Sequence, residues 1–505
     1  METGLPQYPA LPIAECALQM TSVRRALAIS FIERYALIVL SLASNILLAR
    51  LLTPTEIGLY SVSLAAIGIA QVLRDFGIGT YLIQEKNLTD KSIGTAFGLS
   101  LFLGITLFGL CYFFAPIAGD IYNKPTITII LQICSLNFLI LPFCTISLAL
   151  HRRDMAFQII LYINIISTAL GFLLTIMLTY HGCGANSMAW GSVLTNFSTA
   201  VISWKLRKNF SFIKPCLTEW RRVLNFGAQR SIASIVSSSA TDASDLVAGK
   251  ILGFSAVALL SKAQGLPNLF QRDLMSAVNS VALPAFAKSL REGDDLEKNL
   301  IYSIGIITVV SWPFYVICSL FSLELIRLLF GSQWDASSPL VALFCLGSAI
   351  YAPCLILNTF LIATGEITTA TKAELTIHGV RATLIILGMI IFETISAPAI
   401  SSVIVSTLAL PYWYVTIRKV RTFSPKKLIS TLARSAMCTA ISITPSIVFV
   451  NFIKNNEQTS ILEIITLGFI SFPLWIFSLY AAGHELSKEA LFVRLKEHLK
   501  RGCHL

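Results

Sequence analysis

The chain has 505 residues, of which 55% are hydrophobic and only 13% are charged, and its mean hydropathy is +0.74. Soluble globular proteins carry about 25% charged residues, so this composition excludes a soluble protein and indicates an integral membrane protein. The net charge of +11 is scattered over short loops. That distribution argues against a nucleic-acid interface and is typical of basic residues that orient membrane helices.

Long apolar segments follow one another along the whole chain. A membrane-spanning helix needs roughly 20 apolar residues to cross about 30 Å of hydrocarbon. We therefore predict an all-α, polytopic membrane protein with about 14 transmembrane helices, counted directly on the sequence. The predicted spans lie near 27–48, 57–76, 94–118, 127–149, 156–179, 184–204, 225–248, 254–285, 298–322, 338–362, 370–392, 397–417, 430–452 and 460–482.

Lysine and arginine are divided unevenly among the connections between these spans. With the N-terminus placed in the cytoplasm, the outside connections contain only Arg50, Lys124, Lys250, Arg327 and Lys454. Cytoplasmic loops of membrane proteins carry an excess of basic residues. We therefore predict a multi-pass membrane protein with both termini in the cytoplasm.

A weak internal repeat divides the chain into two halves. ARLLTPTEIGLYS (49–61) aligns without a gap with GKILGFSAVALLS (249–261). Six spans per half give the halves the same orientation, as in transporters with parallel repeats, so we predict two pseudo-symmetric six-helix bundles and an appended helix pair. The predicted domains are an N-terminal tail (1–23), the first bundle (24–204), a cytoplasmic linker (205–222), the second bundle (223–417), the appended helices (418–482) and an amphipathic cytoplasmic tail (483–505).

Charged and hydroxyl side chains form a stripe along the seventh span. At 100° per residue, Arg230, Ser234, Ser238 and Asp245 share one sector, and Asp242 lies beside it. Ionised side chains within a bilayer are costly and usually face a partner or a water-filled cavity. We predict a hydrated cavity between the bundles, with arginine near its cytoplasmic mouth, where a guanidinium suits phosphate or pyrophosphate oxygens.

The first span repeats this pattern more weakly, with Arg34 and Asn45 on one face. Arg34 either lines the cavity or neutralises the adjacent Glu33, and Lys262 on the eighth span either pairs with an aspartate of the seventh or meets the ligand. The predicted substrate-binding set is Arg34, Asn45, Arg230, Ser234, Ser238 and Lys262. Asp242 and Asp245 are candidates for coupling to an ion or a proton, or they merely solvate the cavity. We interpret His378 and Arg381 on the eleventh span as a local polar contact.

Two Arg-Asp pairs are predicted to close the inner ends of the second and eighth spans. They are Arg74-Asp75, which is followed by the glycine-containing FGIG, and Arg272-Asp273. Glycine allows tight turns and close backbone approach, so we expect a structural, gate-like cytoplasmic turn after the first pair. The stretch LTPTE predicts a capping box at the start of the second span, since Glu56 follows Thr53 by three residues.

The sequence contains no motif of a catalytic or cofactor-binding site. It has no G-x-x-x-x-G-K-[ST] phosphate-binding loop and no H-E-x-x-H zinc motif. Its 11 cysteines include no C-x-x-C pair, so we expect neither a metal site nor a disulfide framework. We therefore expect a protein that is not an enzyme and that uses no cofactor.

The stretches ARLLTPTEIGLYSVSLAAIGIAQVLRDFGIGTYLIQ and LVAGKILGFSAVALLSKAQGLPNLF resemble Wzx-type polysaccharide-biosynthesis membrane proteins. The similarity is greatest to the colanic acid and teichuronic acid exporter group of the multidrug/oligosaccharidyl-lipid/polysaccharide superfamily. The resemblance implies a flippase that translocates undecaprenyl-pyrophosphate-linked repeat units by alternating access. Its implied partners are the lipid-linked substrate, membrane lipids, and a polymerase and glycosyltransferases of polysaccharide synthesis.

Three other functions stay open at this point. A multidrug exporter of the same superfamily would need an acidic, aromatic-lined cavity, whereas the predicted buried charges balance. A lipid II flippase would use the same mechanism on a different glycan. A scaffold for glycosyltransferases would not need the polar stripe of the seventh span.

Overall fold

The computed structural model describes residues 13–75, 77–85, 87–207, 214–221, 223, 243–421, 423–453 and 460–488, and these contain helices and no strand. The helices are α1 (Ile13–Leu51), α2 (Pro54–Asp75), α3 (Ile78–Gln84), α4 (Asp90–Tyr122), α5 (Pro125–Arg153), α6 (Phe157–Tyr180), α7 (Ala185–Lys205), the described part of α8 (243–251), α9 (Phe254–Glu292), α10 (Leu296–Leu320), α11 (Ser322–Phe330), α12 (Ser338–Ala363), α13 (Ile367–Phe392), α14 (Ala397–Val420), α15 (Pro425–Val448) and α16 (Ile461–Ala481). Within these ranges, ten helices are long and apolar enough to cross a membrane. The multi-pass, all-α fold is thus confirmed, and the count of fourteen spans stays a prediction.

The chain forms two compact units, the first consisting of Met1–Leu52 with Ser63–Ile235 and the second of Thr53–Val62 with Val236–Leu505. In the first unit α5 packs against both α4 and α7, and α6 packs against α7 and α1. In the second unit α12 packs against both α10 and α14, and α13 packs against α14. The same packing order in both units agrees with the predicted repeat, and the predicted domain boundaries stay a prediction.

The helices α6 and α7 of the first unit approach each other at two glycines. A Cβ atom on Gly171 would overlap the Thr195 hydroxyl, and one on Gly191 would overlap the Thr175 hydroxyl. Each threonine in turn donates a hydrogen bond of 2.9 Å to the glycine carbonyl of its own helix. Small residues that admit close backbone contact are the usual means of association between membrane helices.

The second unit has a large apolar core, to which α9, α10, α12 and α14 contribute. Trp413 and Leu357 are fully buried there, and Phe286 packs edge-on against Phe360 at 5.4 Å. The appended helices pack on this unit, since α15 contacts α10 and α16. Trp475 of α16 donates a 3.0 Å hydrogen bond to the carbonyl of Val309 in α10.

The predicted capping box and the tight turn after Asp75 are both present. The Glu56 carboxylate accepts from the Thr53 backbone N–H at 2.8 Å. Gly77 has a φ of 65°, the left-handed conformation that favours glycine, and α3 follows it at once. Arg74 is 8% exposed and donates from Nη1 to the Thr145 hydroxyl at 3.2 Å, so it packs within the first unit. The side chain of Asp75 lies outside the described residues.

The expectation that Arg272-Asp273 ends the eighth span is wrong. Helix α9 continues through this pair to Glu292, and Arg272 is exposed on its surface. The physical difference is the next residues, because FGIG follows the first pair whereas LMSAV follows the second without a glycine. The side chain of Asp273 lies outside the described residues.

Residues 214–219 of the predicted linker pack against α4, and we call this segment the strap. The carbonyl of Gly94 accepts a 3.1 Å hydrogen bond from the Cys216 backbone N–H, and a Cβ on Gly98 would collide with the Cys216 carbonyl. Glu219 accepts from the Ser92 hydroxyl at 2.9 Å. Residues 214–219 of the predicted linker (205–222) therefore pack on the first unit.

The reactivity of the Cys216 thiol reports whether the strap is packed against α4. The Thr95 hydroxyl lies 3.4 Å from Cys216 Sγ, and its hydrogen bond is the main cause that lowers the pKa of this thiol. Since the thiolate is the nucleophile, we expect Thr95→Val to move the rise of Cys216 alkylation to higher pH. Peptide-resolved mass spectrometry after maleimide pulses measures this rate, with exposed Cys183 as the internal control. An unchanged pH profile for Cys216 would contradict the assigned hydrogen bond.

Candidate functional site

A polar cavity of about 240 Å³ lies within the second unit. Five helices line it, and most of their contributions are small, amide or hydroxyl side chains rather than bulky apolar ones. The lining residues are Ser244, Asp245, Ala248, Leu260, Gln264, Pro267, Asn268, Gln271, Phe344, Gly347, Ser348, Tyr351, His378, Arg381, Ala382, Ile385, Met389, Pro398, Ser402 and Ser406. Polar groups inside membrane-spanning helices are a functional-site hypothesis by default, because burying them in lipid is unfavourable.

The wall formed by α13 carries the cationic group of the cavity. Glu374, His378 and Arg381 are spaced by four and three residues, which places them on one face of this helix. The Arg381 guanidinium lies over the Tyr351 ring of α12, 5.2 Å from the ring centroid. This cation–π contact holds the guanidinium against the cavity wall. Its Nε is buried and has no hydrogen-bond partner among the described residues.

Glu374, one turn from His378, has its own partner on α12. The Asn358 amide donates to the Glu374 carboxylate at 2.6 Å, a short, charge-assisted hydrogen bond. A second Asn–Glu pair is present in the first unit, where the Asn164 amide of α6 donates to Glu33 of α1 at 2.6 Å. This hydrogen bond does not neutralise the charge of Glu33, so both interpretations of Arg34 stay open.

The other walls supply neutral hydrogen-bonding groups. Gln264, Asn268 and Gln271 are spaced by four and three residues on α9, so three amides face the cavity from one helix. Ser402 and Ser406 do the same from α14. Ser406 is 1% exposed, and its hydroxyl has no hydrogen-bond partner in the described part of the chain. Buried polar groups normally have partners, so this hydroxyl is available for a group that enters the cavity.

The electrostatics of the cavity oppose a bare cation. Among the lining residues that the structure describes there is one carboxylate, Asp245, which faces the same space as Arg381, and arginine stays protonated. Among the described residues no group of three His, Cys, Asp or Glu side chains could hold a metal ion. The arrangement is suited to bind a molecule rich in hydroxyl groups that carries a negative charge.

The structure brings only part of the predicted site to this cavity. Asp245 lines it, whereas Lys262 lies nearby on α9 with its ammonium group in an aromatic box, 4.8 Å from the Phe330 ring centroid and 5.5 Å from that of Trp334. Arg34 and Asn45 lie on α1 in the first unit, where the Asn45 amide donates to the Ser41 carbonyl at 3.4 Å. The remaining predicted residues, Arg230, Ser234, Ser238 and Asp242, lie outside the described residues.

The analysis of the sequence missed the groups that dominate the cavity. Arg381 and His378 were interpreted as a local contact, and the amides of α9 were not considered. The signal was present, because polar residues recur at helical spacing in both spans, at 374, 378 and 381 and at 264, 268 and 271. What favours a site over a local contact is the convergence of both stripes on one space.

Known proteins are similar to this chain in sequence and in fold. The profile of a family described as "Polysaccharide biosynthesis protein" matches residues 47–339. The lipopolysaccharide biosynthesis protein WzxC of Escherichia coli (strain K12) is 26% identical over 318 residues, which is 63% of this chain and 65% of that protein. The teichuronic acid biosynthesis protein TuaB of Bacillus subtilis (strain 168) is 22% identical over 376 residues, or 74% and 76% of the two chains.

Among solved structures, the lipid II flippase MurJ in an inward closed conformation matches with a TM-score of 0.70. The match covers 92% of this chain and 99% of that one, at 15% identity. At this identity the likeness concerns the fold alone, and it extends over nearly all of both chains.

Proposed function

Because the chain belongs to the polysaccharide biosynthesis protein family, we propose that it is a flippase for lipid-linked oligosaccharides. Its substrate would be an undecaprenyl-pyrophosphate-linked repeat unit that moves from the inner to the outer leaflet of the bacterial inner membrane. Both termini would then lie in the cytoplasm, and the protein would act as a transporter rather than an enzyme. The names of its relatives, which concern lipopolysaccharide and teichuronic acid synthesis, support this substrate class.

One observation carries the proposal: membrane-embedded helices surround a cavity lined by amides, hydroxyls and the guanidinium of Arg381. A glycan needs many neutral hydrogen-bonding groups, and an anionic group of the substrate needs a cation. A multidrug exporter for organic cations would be served poorly by an arginine in its binding space, since the two positive charges repel. Binding that differs between two conformations would shift their populations and so move the headgroup.

The partners and the coupling also belong to this proposal. Glycosyltransferases of polysaccharide synthesis would supply the lipid-linked substrate, and a polymerase would use the translocated product. Arg34 and Arg230 would contact the anionic headgroup in a chamber between the bundles, and Asp242 or Asp245 would couple transport to an ion or a proton. A lipid II flippase is the second member of the same class, and the identity of the translocated glycan distinguishes the two.

We expect Arg230→Ala to abolish polymer export while the protein still inserts into the membrane. The reason is that the variant removes a permanent cation from the polar stripe that would face the headgroup. The measurement is the amount of labelled lipid-linked repeat units in each leaflet of a deletion strain that carries the variant. Lys288→Ala, at a lysine whose side chain is 65% exposed, is the control for loss of one positive charge. Normal outer-leaflet levels in the Arg230→Ala strain would remove this arginine from the mechanism.

A further inference from the structure

The cavity of the second unit is lined by both a carboxylate and a guanidinium, and these two groups restrict the class of ligand that it can bind. Asp245 and Arg381 face one space of about 240 Å³. Pockets that enclose drug-sized ligands measure roughly 300–1,000 Å³, so this cavity has room for a single sugar residue rather than for an oligosaccharide. Resting on the proposed function, we propose that it is a subsite for one carboxylate-bearing sugar of the lipid-linked repeat unit.

The guanidinium is arranged to receive a carboxylate. Arginine presents donors in a planar fork that matches a carboxylate through two parallel hydrogen bonds. The guanidinium carbon of Arg381 lies 5.2 Å from the centroid of the Tyr351 ring, and this cation–π contact restrains the side chain. The Asn358 amide bonds to Glu374 at 2.6 Å, so this nearby carboxylate already has its own donor. Arg381 Nε has no hydrogen-bond partner among the described residues.

The neutral groups of the cavity match sugar hydroxyls. A hydroxyl both donates and accepts a hydrogen bond, and amide side chains do the same with separate atoms. Gln264 and Asn268 offer such amides, and the buried Ser406 hydroxyl lacks a hydrogen-bond partner in the described structure. The carboxylate of Asp245 accepts only, and a sugar hydroxyl can donate to it.

The pyrophosphate of the lipid carrier fits this cavity less well. A pyrophosphate carries more than one negative charge, whereas the lining residues that the structure describes include one arginine and no lysine. Asp245 would repel a second negative charge in a space this small. A single carboxylate next to hydroxyl groups matches the one guanidinium and the neutral amides and hydroxyls of the described lining, so a sugar acid is favoured over the headgroup.

Translocation by the purified full-length protein in proteoliposomes tests this proposal. The two substrates are undecaprenyl-pyrophosphate carrying the same disaccharide, which ends in glucuronic acid in one and in glucose in the other. We expect Arg381→Gln to slow the acidic substrate by about tenfold or more, because a hydrogen bond between charged groups is lost, and to leave the glucose substrate within about twofold. Lys288→Gln, which removes an exposed charge, is expected to change neither rate.

The possible failures are distinguishable. If the wild type moves both substrates and Arg381→Gln slows both equally, the cavity does not read the sugar acid, and the proposal is overturned while the flippase function stands. If the wild type moves neither substrate, the flippase function fails. The subsite is then decided by thermal stabilisation of the purified protein with free glucuronate, glucose or pyrophosphate.

In that binding measurement, stabilisation by glucuronate alone, and its loss in Arg381→Gln, supports the subsite. Equal stabilisation by pyrophosphate, or none by glucuronate, overturns it. Should Arg381→Gln fail to fold, Arg381→Lys keeps the charge but loses the fork. We expect that variant to slow only the acidic substrate, and equal slowing of both substrates would again overturn the proposal.

Discussion

Replacing Gly191 with valine is expected to cause a large loss of stability in the first unit. A Cβ atom at this position would overlap the Thr175 hydroxyl and stand 2.9 Å from the Gly171 carbonyl oxygen. The backbone cannot yield without separating α6 from α7 along their contact. Overpacking a filled interior typically costs about 1–3 kcal/mol, and this site combines a side-chain clash with a backbone contact. The melting temperature of the purified protein, followed by size-exclusion chromatography, measures the effect.

Gly109→Val is the matched control for the change in helix propensity. Gly109 also lies within a membrane-spanning helix, α4, and a Cβ there meets no atom within 4 Å. It should therefore leave the melting temperature close to that of the wild type. Gly171→Val should reproduce the loss seen at Gly191, because the two glycines face each other's helices in the same way. Equal stability of Gly109→Val and Gly191→Val would show that the close approach of α6 and α7 is not required.

Replacing Asn358 with leucine is expected to destabilise the second unit, because the Glu374 carboxylate loses its hydrogen-bond donor. The Asn358 amide donates to Glu374 at 2.6 Å, and no other hydrogen bond to this carboxylate is found in the described part of the chain. Leaving a fully buried polar group without its partner costs about 1–3 kcal/mol, and the half-buried Glu374 carboxylate is expected to cost the lower part of that range. We expect a fall in melting temperature, and a loss of transport if the cavity beside α13 binds the substrate.

The double variant Asn358→Leu/Glu374→Leu distinguishes the effect of an unpaired Glu374 carboxylate from the effect of changed packing at position 358. Removing both members of a buried pair is often close to neutral, whereas removing one is not. We expect the double variant to regain much of the lost stability. Asn164→Leu, with or without Glu33→Leu, repeats the test on the Asn–Glu pair between α6 and α1 of the first unit. A double variant that is no more stable than Asn358→Leu would show that the asparagine acts through packing alone.

Local features of the fold could be predicted because neighbouring residues determine them. The Thr53–Glu56 capping box needs only the right residues three positions apart. The turn at Gly77 needs only a residue that adopts positive φ without strain. The same reasoning failed at Arg272-Asp273, where the charged pair matched the first half but the following residues continue the helix.

The candidate site was less accessible to prediction. Asp245 was identified from the polar stripe of the seventh span and does line the cavity. Arg381 is 117 and 113 positions away from the amides at 264 and 268 along the chain, so its relevance depends on which helices are neighbours. Helical periodicity gives the direction of a side chain relative to its own helix, but it does not identify the residues of neighbouring helices that this side chain faces.

The sequence by itself determined the membrane environment, the helical class, the two similar halves and the family. Composition and the spacing of apolar residues are sufficient for the first two, because lipid admits few backbone structures. The halves were predicted from the internal repeat, and the family from the resemblance of particular stretches. The tertiary structure decided which polar residues meet. Only the packing of α9, α12, α13 and α14 sets Arg381 on Tyr351 across from the amides of α9, since that juxtaposition comes from contacts between residues distant in the chain.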